Sequence, residues 1–226
     1  MTVDNATKTD RDADTLLASL FPPGTGVFYS SALPTHAKLL PAETGCTHDM
    51  VEKRRREFTH GRYCARQAMQ KLELPVSPIL KSPDRAPIWP GSICGSISHS
   101  GETAAAIIAY RSEIAGIGLD IESAEPLTPE IAQMICRPGE QSPNQNGKHA
   151  KLLFSIKEAV YKCIYPLIHC FVDFQEMQII LHEHDTSFSA QSHSPNFDAG
   201  LIDGLQGRYY RNGELIISSA WIAQSN

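Results

Sequence analysis

Two apolar segments at the centre of the chain constrain its fold more than any other feature. TAAAIIAY (103–110) and IAGIGLDIE (114–122) are separated by only three polar residues, Arg111–Ser112–Glu113. Short apolar runs bounded by polar turns are typical of β-strands, so this arrangement predicts a β-hairpin. A strand is also expected just before them, in SICGSISHS (92–100), where small and apolar residues alternate.

Helical patterns flank these strands on both sides. Residues 50–74 carry apolar side chains at helical spacing in their second half, and KLLFSIKEAVYKCIY (151–165) is a strong helix that we expect to stop at Pro166. Further strands are expected at 174–181, 207–210 and 215–222, with loops at 137–150 and 182–200. Helices and antiparallel strands are mixed in each half, which predicts an α+β fold.

The length of the chain fits one large domain or two small ones. It has 226 residues, 42% of them hydrophobic, which is enough to bury a core. The polar residues 1–14 are expected to form a flexible tail, followed by an N-terminal half (15–113) and a C-terminal half (114–226). No run is long enough to span a membrane and no signal peptide is recognisable, so a cytoplasmic location is expected.

Cysteines and overall charge narrow the class of protein. The six cysteines form no CxxC pair and lie mostly in apolar runs, so we expect reduced, buried thiols. The net charge is −5, opposite in sign to that of a typical nucleic-acid-binding domain.

Asp120 and Glu122 form the first candidate site. On a strand, residues i and i+2 face the same side, so both carboxylates should project together while Ile121 points into the core. Two adjacent carboxylates suit a hard cation such as Mg²⁺. A strand end at which both acids simply face water explains the same pattern, and both interpretations stay open.

A second candidate lies on the helix expected at 151–165. Glu158 and Lys162 are spaced i and i+4, which is typical of a surface salt bridge. The alternative is an acid that reaches a metal, flanked by Lys157 and Lys162 as phosphate contacts.

Basic residues and a histidine form the remaining candidates. The run Lys53–Arg56, with Arg62 and Arg66 further along, fits either a solvated helix face or a phosphate-binding surface. His99 lies among small hydroxylated residues, which suits close packing of a phosphate against the backbone.

Four segments, taken in this order, resemble the Sfp/EntD-type 4′-phosphopantetheinyl transferases. They are RRREFTHGRYCARQAM, ILKSPDRAPIWPGSICGSISHS, AGIGLDIE and FSIKEAVYKCIYP, which lie within residues 53 to 166. The likeness is greatest to the EntD-like branch, whose members serve siderophore synthetases and, in some bacteria, fatty-acid and polyketide carriers.

The resemblance implies a Mg²⁺-dependent enzyme that moves 4′-phosphopantetheine from coenzyme A to a serine of an apo acyl or peptidyl carrier protein. Adenosine 3′,5′-bisphosphate would be released. The implied molecule is a pseudo-twofold monomer, in which two similar α+β halves join near residues 111–115 and hold coenzyme A between them.

The resemblance also assigns roles to individual residues. Asp120 and Glu122 correspond to metal-binding acids, with the Ile121 carbonyl near the same ion. Glu158 corresponds to a third acid that binds the metal or acts as the base. Lys157 and Lys162 would approach the pyrophosphate of coenzyme A.

The other implied contacts lie in the N-terminal half. Ser98 and His99 would touch the phosphates, with His99 and Lys157 stabilising charge during the reaction. Arg54, Arg62 and Lys81 would hold the side that carries the 3′-phosphate. Helical geometry alone would favour Arg55 over Arg54, because Arg55 lies on the same helix face as Arg62.

Three other functions remain open on the sequence. A Mg²⁺-dependent hydrolase or nucleotidyl enzyme would share the acids and the basic residues. A nucleic-acid-binding protein would use the run Lys53–Arg56, although the net charge of −5 and the lack of interleaved aromatic residues count against it. A zinc site could combine His169, Cys170, His182 and His184, but their spacing fits no standard pattern.

Overall fold

The computed structural model describes residues 8–140 and 147–224. The chain divides into two compact units, Met1–Tyr110 and Arg111–Asn226, close to the boundary expected after residue 113. Each unit combines helices with antiparallel strands, so the fold is α+β. No helix in the described ranges is long and apolar enough to cross a membrane.

The first unit is built from helices α1 to α3 and strands β1 to β5. Their bounds are α1 Lys8–Ser19, β1 Gly26–Ser30, α2 Pro41–Thr44, α3 Glu52–Lys71, β2 Leu80–Lys81, β3 Pro87–Ile88, β4 Ile93–Ser100 and β5 Thr103–Tyr110. Strands β1, β5 and β4 form an antiparallel sheet in that order, and β2 pairs only with β3.

Helix α3 packs on this sheet through small residues. Ala65 and Ala68 are fully buried, and a Cβ atom added at Gly26 of β1 would lie 2.2 Å from the Ala68 carbonyl oxygen. The helix therefore approaches the sheet as closely as backbone atoms allow.

The second unit carries the larger sheet. Its elements are β6 Ile114–Ser123, α4 Pro129–Ile135, α5 Lys148–Ile168, β7 Met177–His182, β8 Ser187–Ser192, β9 Leu205–Arg211 and β10 Leu215–Ala223. The strands are antiparallel in the order β6-β10-β9-β8-β7, and α5 packs on β6 and β10. Leu152, Ile156, Val160 and Ile164 supply the buried side of α5.

The predicted central hairpin is wrong. Strand β5 pairs with β1 on one edge and β4 on the other, so neither of its edges is available to β6. Strand β6 pairs instead with β10, the last strand of the chain. The three residues between β5 and β6 connect two units rather than turning a hairpin.

The predicted helix end at Pro166 is also wrong, because α5 continues to Ile168. A proline removes one backbone donor and crowds the carbonyl four residues before it, but near the end of a helix this disturbs only the last turn. The helix ends at His169, whose φ is 50° and whose N–H donates to the Tyr165 carbonyl oxygen at 2.9 Å.

Two segments predicted to be irregular contain regular structure. The expected loop at 182–200 contains β8, in which Phe188 is buried against Gly207 of the neighbouring β9. Residues 8–14 of the expected tail belong to α1. In this helix, Asp14 accepts a hydrogen bond from the Tyr29 N–H. Residues 1–7 of that tail and residues 141–146 of the expected loop at 137–150 lie outside the described residues.

Candidate active site

One face of β6 lies directly against helix α5. A Cβ atom added at Gly118 would lie 1.9 Å from the Ala159 carbonyl oxygen. Because strand side chains alternate, Asp120 and Glu122 share the face of Gly118. The two glycines of this face, Gly116 and Gly118, allow the helix to approach, and the two acids follow at the far end of the same strand.

Lysines of α5 bind both acids. The Lys162 Nζ donates to Asp120 Oδ1 at 2.7 Å, and the Lys151 Nζ donates to Glu122 Oε2 at 2.6 Å. Asp120 is only 3% exposed, which contradicts the alternative that both acids simply face water at a strand end. Lys151 was not predicted as a site residue, although it lies seven residues before Glu158 and so shares its side of the helix.

Glu158 belongs to the same group of charges. The residue is half-buried, and burial raises the pKa of its carboxyl group. The carboxylates of Asp120 and Glu122 raise that pKa further, while Lys162 opposes them. The Glu158 carboxyl therefore lies within electrostatic reach of both strand acids.

The donor chemistry of this face fits a hard cation. Carboxylate oxygens are preferred ligands of Mg²⁺, and the two strand acids already attract cationic groups, the ammonium groups of Lys151 and Lys162. Ile121 lies between them with a fully buried side chain, opposite Ile217 of β10. Among the residues that the structure describes, no three His, Cys, Asp or Glu side chains are already grouped as metal ligands.

The predicted role of Lys157 requires correction. Its side chain is 1% exposed, and its Nζ donates to Glu140 Oε2 at 2.7 Å and to the carbonyl oxygens of Ile135 and Phe174 at 2.8 and 2.9 Å. These three acceptors match the three donors of an ammonium group. Lys157 therefore holds the second unit together, and the structure does not bring it to the strand acids.

The sequence did not predict Glu140 as the partner of Lys157, because Glu140 lies in a segment without apolar periodicity. Glu140 is buried and also accepts hydrogen bonds from the backbone N–H groups of Arg137 and Ile179, at 2.8 and 2.6 Å. One carboxylate thus joins the end of the α4 region, helix α5 and strand β7.

A cluster of polar residues forms in the first unit. Arg54 Nη1 lies 2.6 Å from His99 Nε2 and donates to Glu57 Oε2 at 3.1 Å. Arg55 instead pairs with Glu52 at 3.5 Å. Arg54 therefore lies beside His99, whereas Arg55 pairs with a residue of its own helix.

Ser98 and Arg62 do not join this cluster. Successive strand side chains point to opposite faces, so the buried Ser98 hydroxyl faces away from His99. Arg62 is 6% exposed, and its guanidinium donates to the carbonyl oxygens of Ile79 and Leu80 at 2.6 and 3.2 Å. Burial lowers the pKa of Arg62 to about 10. Its side chain is thus committed to the protein interior.

An apolar cavity borders Glu158. Its volume is about 80 Å³, and its lining includes Tyr161, Phe171, Phe174 and Met177 together with Glu158 itself. Phe171 is 68% exposed, which is unusual for a large apolar side chain.

The zinc alternative is not supported. The His182 ring bonds to the Ser189 hydroxyl at 3.2 Å, and His184 lies 3.5 Å from the Asp185 carboxylate. His169 closes helix α5. Within the described ranges, these histidines form no group of three or more that could hold a metal ion.

The carboxylates of β6 and the lysines of α5 are groups that can hold a cation and bind phosphate oxygens. Residues 42–109 match the family described as the 4'-phosphopantetheinyl transferase N-terminal domain, and residues 116–207 match the 4'-phosphopantetheinyl transferase superfamily. The chain belongs to the 4′-phosphopantetheinyl transferases and is an enzyme of that family.

Several characterised relatives are similar over most of the chain. 4'-Phosphopantetheinyl transferase Svp of Streptomyces mobaraensis is 31% identical, with 82% of this chain and 79% of Svp covered. Npt of Nocardia iowensis is 32% identical, with 83% and 85% covered. PptT of Mycobacterium tuberculosis (strain ATCC 25618 / H37Rv) is 30% identical, with 80% and 84% covered.

The match to the EntD-like branch, which the sequence was expected to resemble most, is weaker than these three matches. Enterobactin synthase component D of Escherichia coli (strain K12) is 29% identical, and the match covers 61% of this chain and 70% of that protein. The family is therefore shown by relatives that cover more of the chain than the EntD-like proteins do.

Proposed function

We propose that this enzyme transfers 4′-phosphopantetheine from coenzyme A to a serine hydroxyl of an apo acyl or peptidyl carrier protein, with Mg²⁺ required and adenosine 3′,5′-bisphosphate released. The observation that carries the proposal is the face shared by β6 and α5. There, Asp120 and Glu122 are bound by lysines, and both acids raise the pKa of Glu158.

Asp120 and Glu122 are the residues that would hold Mg²⁺, with the Ile121 carbonyl beside them. When bound, the ion would offset negative charge on the pyrophosphate of coenzyme A.

Lys162 is the proposed phosphate contact on α5. Its ammonium already bonds to a carboxylate oxygen at 2.7 Å, so an anionic phosphate oxygen offers it an equivalent partner. Lys151 has the same property at Glu122, with a distance of 2.6 Å. Lys157 is removed from this role because its three donors are used within the second unit.

Glu158 is the proposed general base. Burial raises the pKa of its carboxyl, which makes the carboxylate a stronger proton acceptor. It would take the proton from the carrier serine as the serine oxygen forms a bond to the β-phosphorus. The bond from that phosphorus to the bridging oxygen breaks, and the oxygen leaves with adenosine 3′,5′-bisphosphate.

Arg54, His99 and Lys81 are the proposed contacts for the nucleotide end of coenzyme A. Arg54 is 47% exposed at its side chain and lies beside His99, so both can reach a ligand from solvent. Guanidinium and imidazole groups are suited to phosphate oxygens. A location of coenzyme A between the two halves of the chain stays a prediction.

The direct test is to incubate the purified protein with coenzyme A, Mg²⁺ and apo carrier proteins, and to follow the mass of each carrier. The panel would contain siderophore, other nonribosomal peptide, polyketide and fatty-acid carriers, because the pathway is part of the proposal. A mass gain of one phosphopantetheine group supports transfer. No gain on any carrier would refute it, and release of adenosine 3′,5′-bisphosphate without an acceptor would indicate a hydrolase instead.

We also propose that the enzyme acts as a monomer in the cytoplasm. No fold argument requires a second copy, since each described unit has a core of its own. Sedimentation at the concentration used for transfer would test this, and a dimer at that concentration would contradict it.

A further inference from the structure

A buried network of one acid and two arginines lies in the first unit. Glu43 is fully buried, and Arg62 and Arg66 are 6% and 7% exposed. Arg66 Nη1 donates to both oxygens of Glu43, at 2.8 and 3.1 Å, and Arg66 Nη2 donates to the Lys38 carbonyl oxygen at 2.6 Å. None of the proposed chemical steps uses Glu43 or Arg66.

The network converges on a single peptide segment. Glu43 Oε1 accepts a hydrogen bond from the Ile79 N–H at 3.0 Å. Arg62 Nε donates to the Ile79 carbonyl oxygen at 2.6 Å, and Arg62 Nη2 donates to the Leu80 carbonyl oxygen at 3.2 Å. Both backbone polar groups of residue 79 are therefore held by ionised side chains, and so is the next carbonyl.

Lys81 is the first residue after this segment. It lies in β2, which contains only two residues and pairs with a β3 of equal length. A ribbon this short does not hold its own geometry in water. The backbone that carries Lys81 is therefore fixed mainly by Glu43 and Arg62.

The charges of this network are costly to bury, and their benefit is the geometry that they impose on the backbone. Burying ions carries a large desolvation cost, and well-packed apolar side chains could fill the same volume without it. The Arg66 guanidinium pairs with the Glu43 carboxylate, whereas the Arg62 guanidinium bonds to backbone carbonyl oxygens, and burial lowers the pKa of Arg62 to about 10. What the ions provide, and apolar groups could not, is directional hydrogen bonding to residues 79 and 80.

We propose that Glu43 and Arg62 are positioning residues for Lys81. They hold the backbone of residues 79 and 80 so that the Lys81 ammonium is presented to an anionic phosphate group of the substrate. Arg62 thus acts through the backbone that carries Lys81. This inference rests on the proposed function, because Lys81 is one of the proposed contacts for coenzyme A.

A double-mutant cycle on the full-length enzyme tests the coupling. KM for coenzyme A and kcat would be measured for wild type, Lys81→Met, Glu43→Gln and the double variant. We expect Lys81→Met to raise KM about 10-fold through loss of a charge-assisted contact, with kcat within about threefold. Glu43→Gln should raise KM about fivefold, and the double variant should stay within about twofold of Lys81→Met.

Arg55→Met is the matched control. Arg55 is an exposed cation on the same helix as Arg62, and its guanidinium pairs only with residues near the start of that helix in the contacts shown. Its KM for coenzyme A should match that of wild type. A purely structural role for Glu43 would lower the amount of active enzyme and leave the KM of the remaining enzyme unchanged.

If Glu43→Gln does not fold, Arg62→Lys replaces it in the cycle. Lysine keeps the buried charge but lacks the fork that reaches two carbonyl oxygens, so the same rise in KM is expected. If the two substitutions raise KM independently, so that their effects multiply in the double variant, the inference is overturned. An unchanged KM in Lys81→Met would also overturn it. Failure of the wild type to transfer would instead refute the proposed function, so the two failures are distinguishable.

Discussion

The Lys162 ammonium of α5 bonds to the Asp120 carboxylate of β6 at 2.7 Å, with Asp120 only 3% exposed. An acid at this position interacts with a helix lysine and with Glu158, the proposed base, whose pKa it raises. Asp120 therefore connects the metal chemistry proposed for β6 with the proton transfer proposed for α5.

Asp120→Asn should abolish most transfer without unfolding the protein. Asparagine has the same shape but no negative charge, so both the attraction for Mg²⁺ and the bond to the Lys162 ammonium weaken. We expect kcat/KM to fall by roughly 100-fold or more, a loss typical of removing one electrostatic contact in an active site. Carrier mass measured over time at saturating Mg²⁺ would give this value.

Glu125→Gln provides the control for that experiment. Glu125 is an exposed acid two residues beyond the end of β6, so its substitution removes the same charge outside the candidate site. Full activity in Asp120→Asn would show that the metal ligands have been assigned to the wrong strand face.

The main effect of Lys157→Met should be a lower free energy of unfolding, not a direct loss of the transfer reaction. The substitution leaves the buried Glu140 carboxylate without its ammonium partner, and breaking a buried pair in this way costs about 3–5 kcal/mol. Urea unfolding followed by tryptophan fluorescence would measure the loss. Lys148→Met, an exposed lysine on the same helix, should change stability by less than about 0.5 kcal/mol.

The double variant Lys157→Met with Glu140→Gln extends this test. Removing both charges should recover part of the lost stability, since no unpaired ion is left inside. If Lys157→Met unfolds at the wild-type urea concentration yet transfers poorly, then Lys157 belongs with the phosphate contacts after all.

The strand acids could be predicted because their geometry is local. A period of two residues places Asp120 and Glu122 on one face of any strand, whatever the rest of the chain does. The same local logic extends to α5, where Lys151, Glu158 and Lys162 are spaced seven and four residues apart and share one side.

Lys157 could not be assigned from the same pattern. It lies about 100° around the helix from Glu158, and both residues are polar, so neighbouring sequence cannot tell which one faces the strand. The decision comes from Glu140, which is distant in sequence and buried beside Lys157. The predicted pairing of β5 with β6 was wrong for a similar reason. Local sequence determines whether a segment forms a strand, but it does not determine which strand it pairs with.

Gly118→Ala should separate the two halves of the site. The added Cβ would lie 1.9 Å from the Ala159 carbonyl oxygen, so α5 must move away from β6. Overpacking of this kind costs roughly 1–3 kcal/mol, and the move would lengthen the contact between Lys162 and Asp120. We expect a lower urea midpoint together with a loss of kcat larger than the fraction of unfolded protein explains.

Gly204→Ala is the comparison for this substitution. No heavy atom lies within 4 Å of a Cβ added there, and the residue is exposed. Its stability and its rate of transfer should match those of wild type. Wild-type activity in Gly118→Ala would mean that the close approach of helix and strand is not needed for catalysis.

His60 should make the first unit less stable in mild acid. The residue is 4% exposed, and burial lowers its pKa to about 4 from an ordinary value of 6.5, with Glu102 opposing the shift. Below about pH 6.5 the unfolded chain binds a proton that the folded chain does not, so stability falls as pH decreases. The fall ends near pH 4, where the folded form also becomes protonated, and it amounts to at most about 3.4 kcal/mol.

The difference between wild type and His60→Leu isolates this effect from the titration of the carboxylates. Free energies of unfolding in urea at pH 7, 6, 5 and 4 would show the wild type losing more stability than His60→Leu across this range. His184→Leu, which replaces an exposed histidine, should follow the wild-type curve. Parallel curves for wild type and His60→Leu would show that His60 takes up its proton in the folded protein at an ordinary pH, and that its burial carries no electrostatic cost.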